Sequence, residues 1–417
     1  MNILINAYAV SPMWGSEPGM GWNWISNLAK HCNLYIITEG EWQKEIEEAV
    51  AKHQYKEHLH FYYLPLSPKI RKICWNQGDW RFYYYYRLWQ KRALQKARDI
   101  CGNVDIDVVH QLNMVGFREP GLLWKIGKPL VWGPVGGLSN IPMNFIADAP
   151  ISMKLFLCMK SLLNSIQFRY SLRVNSAIKQ SKVIIAADPI TQEGLRNVKK
   201  RKSILIPETG CYDLHTDLLD KRQRNEFHVL WVAKFDYRKR LDIALRTIAD
   251  IKDLPNLHFH ICGTGSESQI KSYKELSRKL GIEELCEWHG IVENKRIHEM
   301  MKESDLFFFT SISEVTSTVV PEAINNCLPI VCFNTCGFGP LVTENIGRKV
   351  EMTNPEQSVK DFSETIRELY NDKELLHKMS INCCNELKNL LWEEKAKKMV
   401  NIYQQIVFKS TGSSSLV

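Results

Sequence analysis

Residues 228–245 read HVLWVAKFDYRKRLDIAL. An apolar run of strand length is followed by a basic loop and then by helical spacing. Lys234 ends the expected strand, and Lys239 follows five residues on, just before the expected helix. Both ammonium groups therefore reach the space in front of that helix start. Strand, loop and helix in this order make half of a β-α-β unit, and the same alternation fills the chain. Strand candidates in the first half are 2–8, 34–38, 59–64, 107–111, 129–132 and 182–187. In the second half they are 228–234, 257–262, 286–291, 306–311, 328–333 and 348–352. Strands apolar on both faces and separated by helices predict parallel sheets. The alternation occurs twice, so the expected fold is α/β, with two doubly wound, Rossmann-like parallel-sheet domains. Ligands are expected beyond the carboxyl ends of the strands, in a central cleft that the domains face. The changeover falls near 205–213, where Pro207 and Gly210 suit a linker.

Size and composition fit this reading. A chain of 417 residues exceeds one ordinary core, and 45% hydrophobic content is enough for two. No run approaches 18 consecutive apolar residues, and MNILINAYAV lacks the regions of a signal peptide. Twelve cysteines are scattered singly, apart from Cys383 and Cys384, with no C-x-x-C and no zinc spacing. Cys262 and Cys332 sit in apolar runs, as small buried hydrophobes do. Reduced thiols in a cytoplasmic protein are the expectation. The net charge of +8 suits nucleic acid, an anionic membrane surface or anionic small molecules alike. Segments 67–98 and 151–173 mix basic with aromatic or apolar residues. Each reads either as a helix lying on an anionic membrane or as a helix with its apolar face on the core.

Residues 313–329, SEVTSTVVPEAINNCLP, place Glu314 and Glu322 eight positions apart with no charge between them. A buried strand runs into this loop, and VVPEAINN reads as a helix start. Thr316, Ser317 or Thr318 is expected to cap it, and Pro321 fits its first turn. Backbone N–H groups at a helix start attract phosphate, and carboxylates beside them accept hydrogen bonds from sugar hydroxyls. A phosphate flanked by sugars describes a nucleotide sugar, for which Lys234 and Lys239 would neutralise the diphosphate. On spacing alone, Glu322 reads as an ordinary first-turn glutamate and Glu314 as a loop residue, and the basic turn also reads as a solvated loop.

Other strand ends carry weaker signals. In HFHICGTGSES, Gly263 and Gly265 allow a turn to approach a ligand closely. In WHGIVEN, Gly290 ends a strand, and Ile291 and Val292 either flank a base or belong to the core. WGSEPGMGWNW puts Gly15, Gly19 and Gly21 after the first strand, as a ligand-facing turn or an ordinary Gly-Pro turn. His110, in DVVHQLN, is expected at a strand's carboxyl end, as a functional group or a satisfied core residue. VWGPVGG (131–137) adds another glycine-rich turn.

Together these residues resemble the family 4 glycosyltransferases, a retaining family with the GT-B fold, and nearly the whole chain takes part. Lys234 and Lys239 stand where the family carries an Arg or Lys and a Lys on the donor diphosphate. Glu314 and Glu322 match the family's Glu, seven residues, Glu motif. The resemblance implies that Glu314 contacts the donor sugar and Glu322 the ribose, with Thr316, Ser317 and Thr318 beside sugar and phosphate. EAINNCLPIV resembles the family's continuation, and LLWEEKAKKMVNIYQQI its C-terminal helix returning to the first domain. The sequence departs at Lys234 for the commoner Arg, Ala233 and Arg240 for glycines, and Val-Thr-Ser after Glu314.

The implied domains are 1–206 for the acceptor, 207–390 for the nucleotide sugar, a returning helix 391–410 and a disordered tail 411–417. The implied activity is retaining transfer of a hexose-type sugar from a nucleoside-diphosphate sugar to a saccharide acceptor, lipid-linked, in bacterial surface-polysaccharide assembly. His110 joins Lys234, Lys239 and Glu314 as a candidate catalytic group. No cofactor is expected, nor a metal, since the Asp105-x-Asp107 pair starts a strand rather than ending one. Expected partners are the donor, the acceptor and an anionic membrane surface, with no nucleic acid. The expected location is cytoplasmic, peripheral on the inner face of the membrane. Rival readings are a GT-B epimerase or phosphorylase, a non-catalytic nucleotide-sugar or polysaccharide binder and, last, a nicotinamide-dependent oxidoreductase.

Overall fold

A computed structural model of the chain describes residues 1–75, 79–147, 149–212 and 218–410. The expected tail 411–417, the end of the expected linker at Asp213 and residues 76–78 of the first basic-aromatic segment lie outside the described residues. The chain divides into two units, each built on a parallel sheet.

The first unit takes Met1–Leu138, Leu162–Gly210 and the helix Trp392–Ser410. Its strands are β1 (Asn2–Ala7), β2 (Asn33–Thr38), β3 (Leu59–Tyr63), β4 (Val108–Asn113), β5 (Leu130–Val135), β6 (Ser181–Ala186) and β7 (Ile204–Leu205). Their order is β3-β2-β1-β4-β5-β6-β7, all neighbours parallel. The second unit takes Ser139–Ser161 and Cys211–Leu391. Its strands are β8 (Phe227–Val232), β9 (Leu257–Cys262), β10 (Cys286–Gly290), β11 (Leu306–Phe309), β12 (Ile330–Phe333) and β13 (Gly347–Val350), in the order β10-β9-β8-β11-β12-β13 and again all parallel.

All twelve expected strands form, with ends displaced by at most three residues. The two-residue β7 is too short to leave a hydrophobic signature. Period-two alternation explains why the sheets are buried on both faces. In β11 all four residues are buried: Phe308 joins one core cluster, with Trp231 and Phe259, while Phe307 and Phe309 join the other, with Leu230 and Cys332. Burying a phenylalanine contributes about 1.5–3 kcal/mol, so these strands hold the sheet centre in place.

Some helix starts carry side-chain caps. Asp188 accepts from the Thr191 amide at 2.8 Å, and Ser266 and Gln269 form a reciprocal capping box. The helix Trp80–Asn103 buries Phe82, Tyr86, Trp89, Ala93, Ala97 and Ile100, so the aromatic face of the first basic-aromatic segment lies on the core. The second segment behaves otherwise. The helix Ile151–Tyr170 buries only Asn164 and Phe168, and leaves Leu155, Met159, Leu162 and Ile166 exposed at helical spacing. No helix of the described residues is long and apolar enough to cross a membrane.

The thiol expectation is corrected at one pair. Cys327 and Cys384 form a disulfide, while ten other cysteines stay free. Chain folding brings together two residues that are 57 positions apart in sequence, which spacing alone does not reveal.

Candidate functional site

In the second unit the strand order reverses between β8 and β11, and ligands of such sheets bind beyond the carboxyl ends of the strands at that reversal. The loops leaving β8 and β11 carry Lys234, Lys239 and Glu314. They are stitched together before any ligand is considered. Thr310 Oγ1 donates to the Lys239 carbonyl at 2.7 Å, the Ile312 amide donates to the Arg238 carbonyl at 2.9 Å, and the Trp231 indole donates to Thr310 Oγ1 at 3.0 Å. Arg240 follows in a left-handed conformation, buried, with its guanidinium on Asp242 at 2.7 Å and on the Phe145 carbonyl at 3.2 Å.

Within this scaffold the charges converge. Lys239 Nζ pairs with Glu314 Oε1, and Arg238 Nη1 donates to Glu314 Oε2 at 2.8 Å. Ser311 Oγ adds a bond to Oε1 at 3.1 Å. The Lys239 and Glu314 side chains are only 12% and 11% exposed, so their attraction is poorly screened by solvent. Lys234 lies two residues beyond the end of β8, exposed. Arg238 is the residue that sequence reasoning passed over. Its signal was the Arg-Lys-Arg run in the quoted loop.

Glu322 contrasts with Glu314. It lies in the first turn of the helix Val319–Asn325, and burial raises its pKa above the ordinary value of 4.5. Among the described residues its carboxylate has no hydrogen-bond or ion-pair partner. The helix has seven residues, too short for a sizeable dipole, so side chains rather than the helix end supply most of the site's polarity. Thr318 holds the cap position without a capping side-chain bond, and Thr316 and Ser317 are buried in the loop before it. The expected Ser/Thr cap is thus absent from this helix. These hydroxyl residues pack the turn: a Cβ on Gly337 would lie 2.3 Å from Thr316 Cγ2, so only glycine lets the loop after β12 close on it.

Gly263 and Gly265 follow β9 directly. Gly263 has φ +142°, and a Cβ there would lie 1.8 Å from the Ala233 carbonyl oxygen, which fixes glycine at this position. Its amide donates to the Gly290 carbonyl at 2.7 Å, so the loops after β8, β9 and β10 are tied in sequence. Gly290 ends β10; Ile291 is 82% exposed, while Val292 packs on the core.

A cavity of 330 Å³ opens beside this basic loop, entirely within the second unit. Ile141, Met153, Phe156 and Leu157 form its apolar wall, and Lys160, Asp236, Arg238 and Ser313 supply polar groups. The strip bearing the apolar wall is anchored by Phe145, which is buried against Phe333 and whose carbonyl accepts from the Tyr237 hydroxyl. Sequence reasoning did not place this strip near the site.

The first unit corrects two expectations. His110 lies inside β4, which extends to Asn113, rather than at its end. The ring is fully buried; Nδ1 meets the Tyr403 hydroxyl at 2.6 Å and Nε2 meets the Gly133 carbonyl at 2.6 Å. Burial lowers its pKa to about 4. With both nitrogens engaged, His110 is a satisfied core residue. Gly15 alone stands in the loop before the helix Ser16–Leu28; Gly19 and Gly21 lie inside that helix, buried. Their missing side chains make room for the Trp14 and Ala9 carbonyls, which a Cβ would approach to 2.1 and 2.5 Å.

Two doubly wound parallel sheets, one of seven strands and one of six, are the architecture of GT-B glycosyltransferases. Comparison with known proteins agrees. The family model described as Glycosyl transferases group 1 matches residues 220–384, which include every charged group of the β8–β11 site. An uncharacterized glycosyltransferase of Methanocaldococcus jannaschii is 21% identical over 184 residues, 44% of this chain and 46% of that protein, so the match spans about half of the relative's length. Among solved structures, HepE of Anabaena in complex with UDP is similar with TM-score 0.62 and 13% identity, over 97% of this chain and 100% of that one. WaaG, a glycosyltransferase involved in lipopolysaccharide biosynthesis, is similar with TM-score 0.61 and 15% identity, over 96% and 99%. The solved structures match the fold over nearly the whole chain, and the glycosyl transferase family model matches the unit that holds the β8–β11 site.

Proposed function

We propose that the protein is a retaining glycosyltransferase of family 4 type. It would move a hexose-type sugar from a nucleoside-diphosphate sugar to a saccharide acceptor. The observation that carries this reading is Glu322. Its half-buried carboxylate has no protein partner among the described residues, and paired ribose hydroxyls are suited to complete it. The cations at the end of β8 supply the other half of the ligand. Lys234, Arg238 and Lys239 stand where a diphosphate gathers charge as its bond to the sugar breaks. In the reaction the C1–oxygen bond to the diphosphate breaks and the acceptor oxygen bonds to C1 on the same face. The acceptor's proton passes to the departing diphosphate. Glu314, released from Lys239 when phosphate competes for the ammonium, is positioned for the donor sugar. Thr316, Ser317 and Thr318 shape the turn around it, and Gly263, Gly265 and the Gly290–Val292 turn border the nucleotide.

The acceptor is read from the 330 Å³ cavity beside Arg238. Its apolar wall and its Lys160 suit a saccharide linked through phosphate to a lipid. The exposed Leu155, Met159, Leu162 and Ile166 stripe on the helix Ile151–Tyr170 suits the surface of an anionic membrane. This is the setting of bacterial surface-polysaccharide assembly, on the cytoplasmic side. No step needs a metal or another cofactor. Screening nucleoside-diphosphate sugars by thermal shift tests the reading: at least one should raise the midpoint in wild type and raise it far less in Glu322→Gln. Equal shifts in both proteins for every donor that binds would remove Glu322 from the site.

A further inference from the structure

A second cluster of titratable side chains lies on β8, β9 and β10 of the six-stranded sheet. His258-Phe-His260 on β9 and Glu287-Trp-His289 on β10 each place two side chains on one face, because strand side chains alternate. Register sets Glu287 beside His260 and His228 of β8 beside His258. We infer that His260, Glu287 and His289 form a binding site for one divalent zinc-type cation. The proposal does not depend on the sugar-transfer reading.

Three distances carry it. His260 Nδ1 lies 3.1 Å from His289 Nε2 and 3.2 Å from Glu287 Oε2, and His289 Nε2 lies 3.9 Å from Glu287 Oε2. Tetrahedral zinc with bonds of about 2.0–2.1 Å needs ligand atoms about 3.3 Å apart. One ion therefore fits among the three atoms with displacements of a few tenths of an ångström. Two imidazoles and a carboxylate are also a donor set that borderline cations favour. Glu287 and His289 are exposed, so water completes the coordination.

The surrounding groups fix the tautomers that such a site needs. With Nδ1 as the ligand, His260 holds its proton on Nε2 and donates it to His228 Nδ1 at 2.8 Å. His228 in turn donates from Nε2 to Glu226 Oε2 at 3.2 Å. His258 Nδ1 lies 3.3 Å from Glu287 Oε1, the oxygen that the cation does not use. The ion would clip the edge strand β10 to β9, just before the turns at Gly263 and Gly290.

Tag-free protein stripped with chelator is titrated with Zn²⁺ by calorimetry, and separately with Co²⁺ while visible absorbance is followed. Wild type should bind one equivalent, with a tetrahedral Co²⁺ spectrum and a rise in melting temperature that chelator reverses. His260→Gln with His289→Gln should weaken binding at least about 100-fold. Wild type that binds no zinc at micromolar concentration overturns the site, as does wild-type affinity in a folded double variant. If the double variant does not fold, Glu287→Gln on the exposed edge gives the same reading: at least about tenfold weaker binding supports the site and unchanged affinity overturns it.

Discussion

Lys239 and Glu314 are joined by an ion pair across the loops that leave β8 and β11, and Arg238 holds the other carboxylate oxygen at 2.8 Å. A diphosphate offers Lys239 two or more negative charges where Glu314 offers one. Lys239→Ala is therefore expected to lower turnover by about 100-fold or more. Its fold should persist, because the carbonyl of residue 239 still accepts from Thr310 and Arg238 still satisfies Glu314. Steady-state kinetics beside a melting curve checks this; unchanged turnover in a folded variant would refute the role.

Glu322 gives a prediction of opposite signs. Its folded pKa is raised by burial, so the ligand-free fold loses stability as pH rises from the ordinary value of 4.5 through the raised one. Glu322→Gln should raise the melting temperature of ligand-free protein at neutral pH, and the gain should vanish below the ordinary value. Donor affinity should fall about tenfold or more, the worth of hydrogen bonds to a charged group. A variant less stable than wild type at pH 7 would show that the carboxylate has a partner.

His110 separates structure from chemistry. Its pKa falls from 6.5 to about 4 on burial, so the unfolded chain takes up a proton that the fold refuses as pH drops. Stability is complete above 6.5 and should decline by about 3 kcal/mol as pH falls to 4. His110→Asn should flatten that decline and destabilise the protein at pH 7, yet keep turnover within a few-fold at low temperature. Abolished turnover in folded protein would return His110 to the catalytic set.

The disulfide closes a loop of 57 positions, for which chain entropy predicts up to about 4 kcal/mol of stabilisation. Reduction, or Cys384→Ser, should lower stability by about 2–4 kcal/mol in denaturant titrations. No change would show that the pair does not form in solution.

The exposed stripe on the helix Ile151–Tyr170 predicts flotation with anionic liposomes. Leu155→Glu with Leu162→Glu, one face and seven residues apart, should abolish flotation and leave the melting temperature unchanged. Flotation by the double variant would place the membrane contact elsewhere.

The fold was legible because its strands are short apolar runs buried on both faces, a signal that survives without tertiary knowledge. LFFFTS needed no partner to be read as a central strand, whereas the two-residue β7 carried nothing to read. Lys239 and Glu314 stood out at the ends of their expected strands, and the structure pairs them, but Arg238 hid in a run where any of three basic residues could turn inward. The strip around Phe145 was invisible because its contact with Tyr237 joins positions 92 apart. Strand length decided His110: β4 continues to Asn113, which moves the imidazole from the strand's end into the core. For the first basic-aromatic segment, which side of the Trp80 helix meets the sheet could not be weighed from composition.

The most direct test follows the sugar itself. Purified protein is incubated with a donor selected by thermal shift and a lipid-linked saccharide acceptor, and released nucleoside diphosphate and glycosylated product are counted together. The account predicts one product per diphosphate released, with the donor's anomeric configuration, and loss of both in Lys239→Ala. A nucleotide sugar that binds and is never consumed, or that returns only as its epimer, would contradict it.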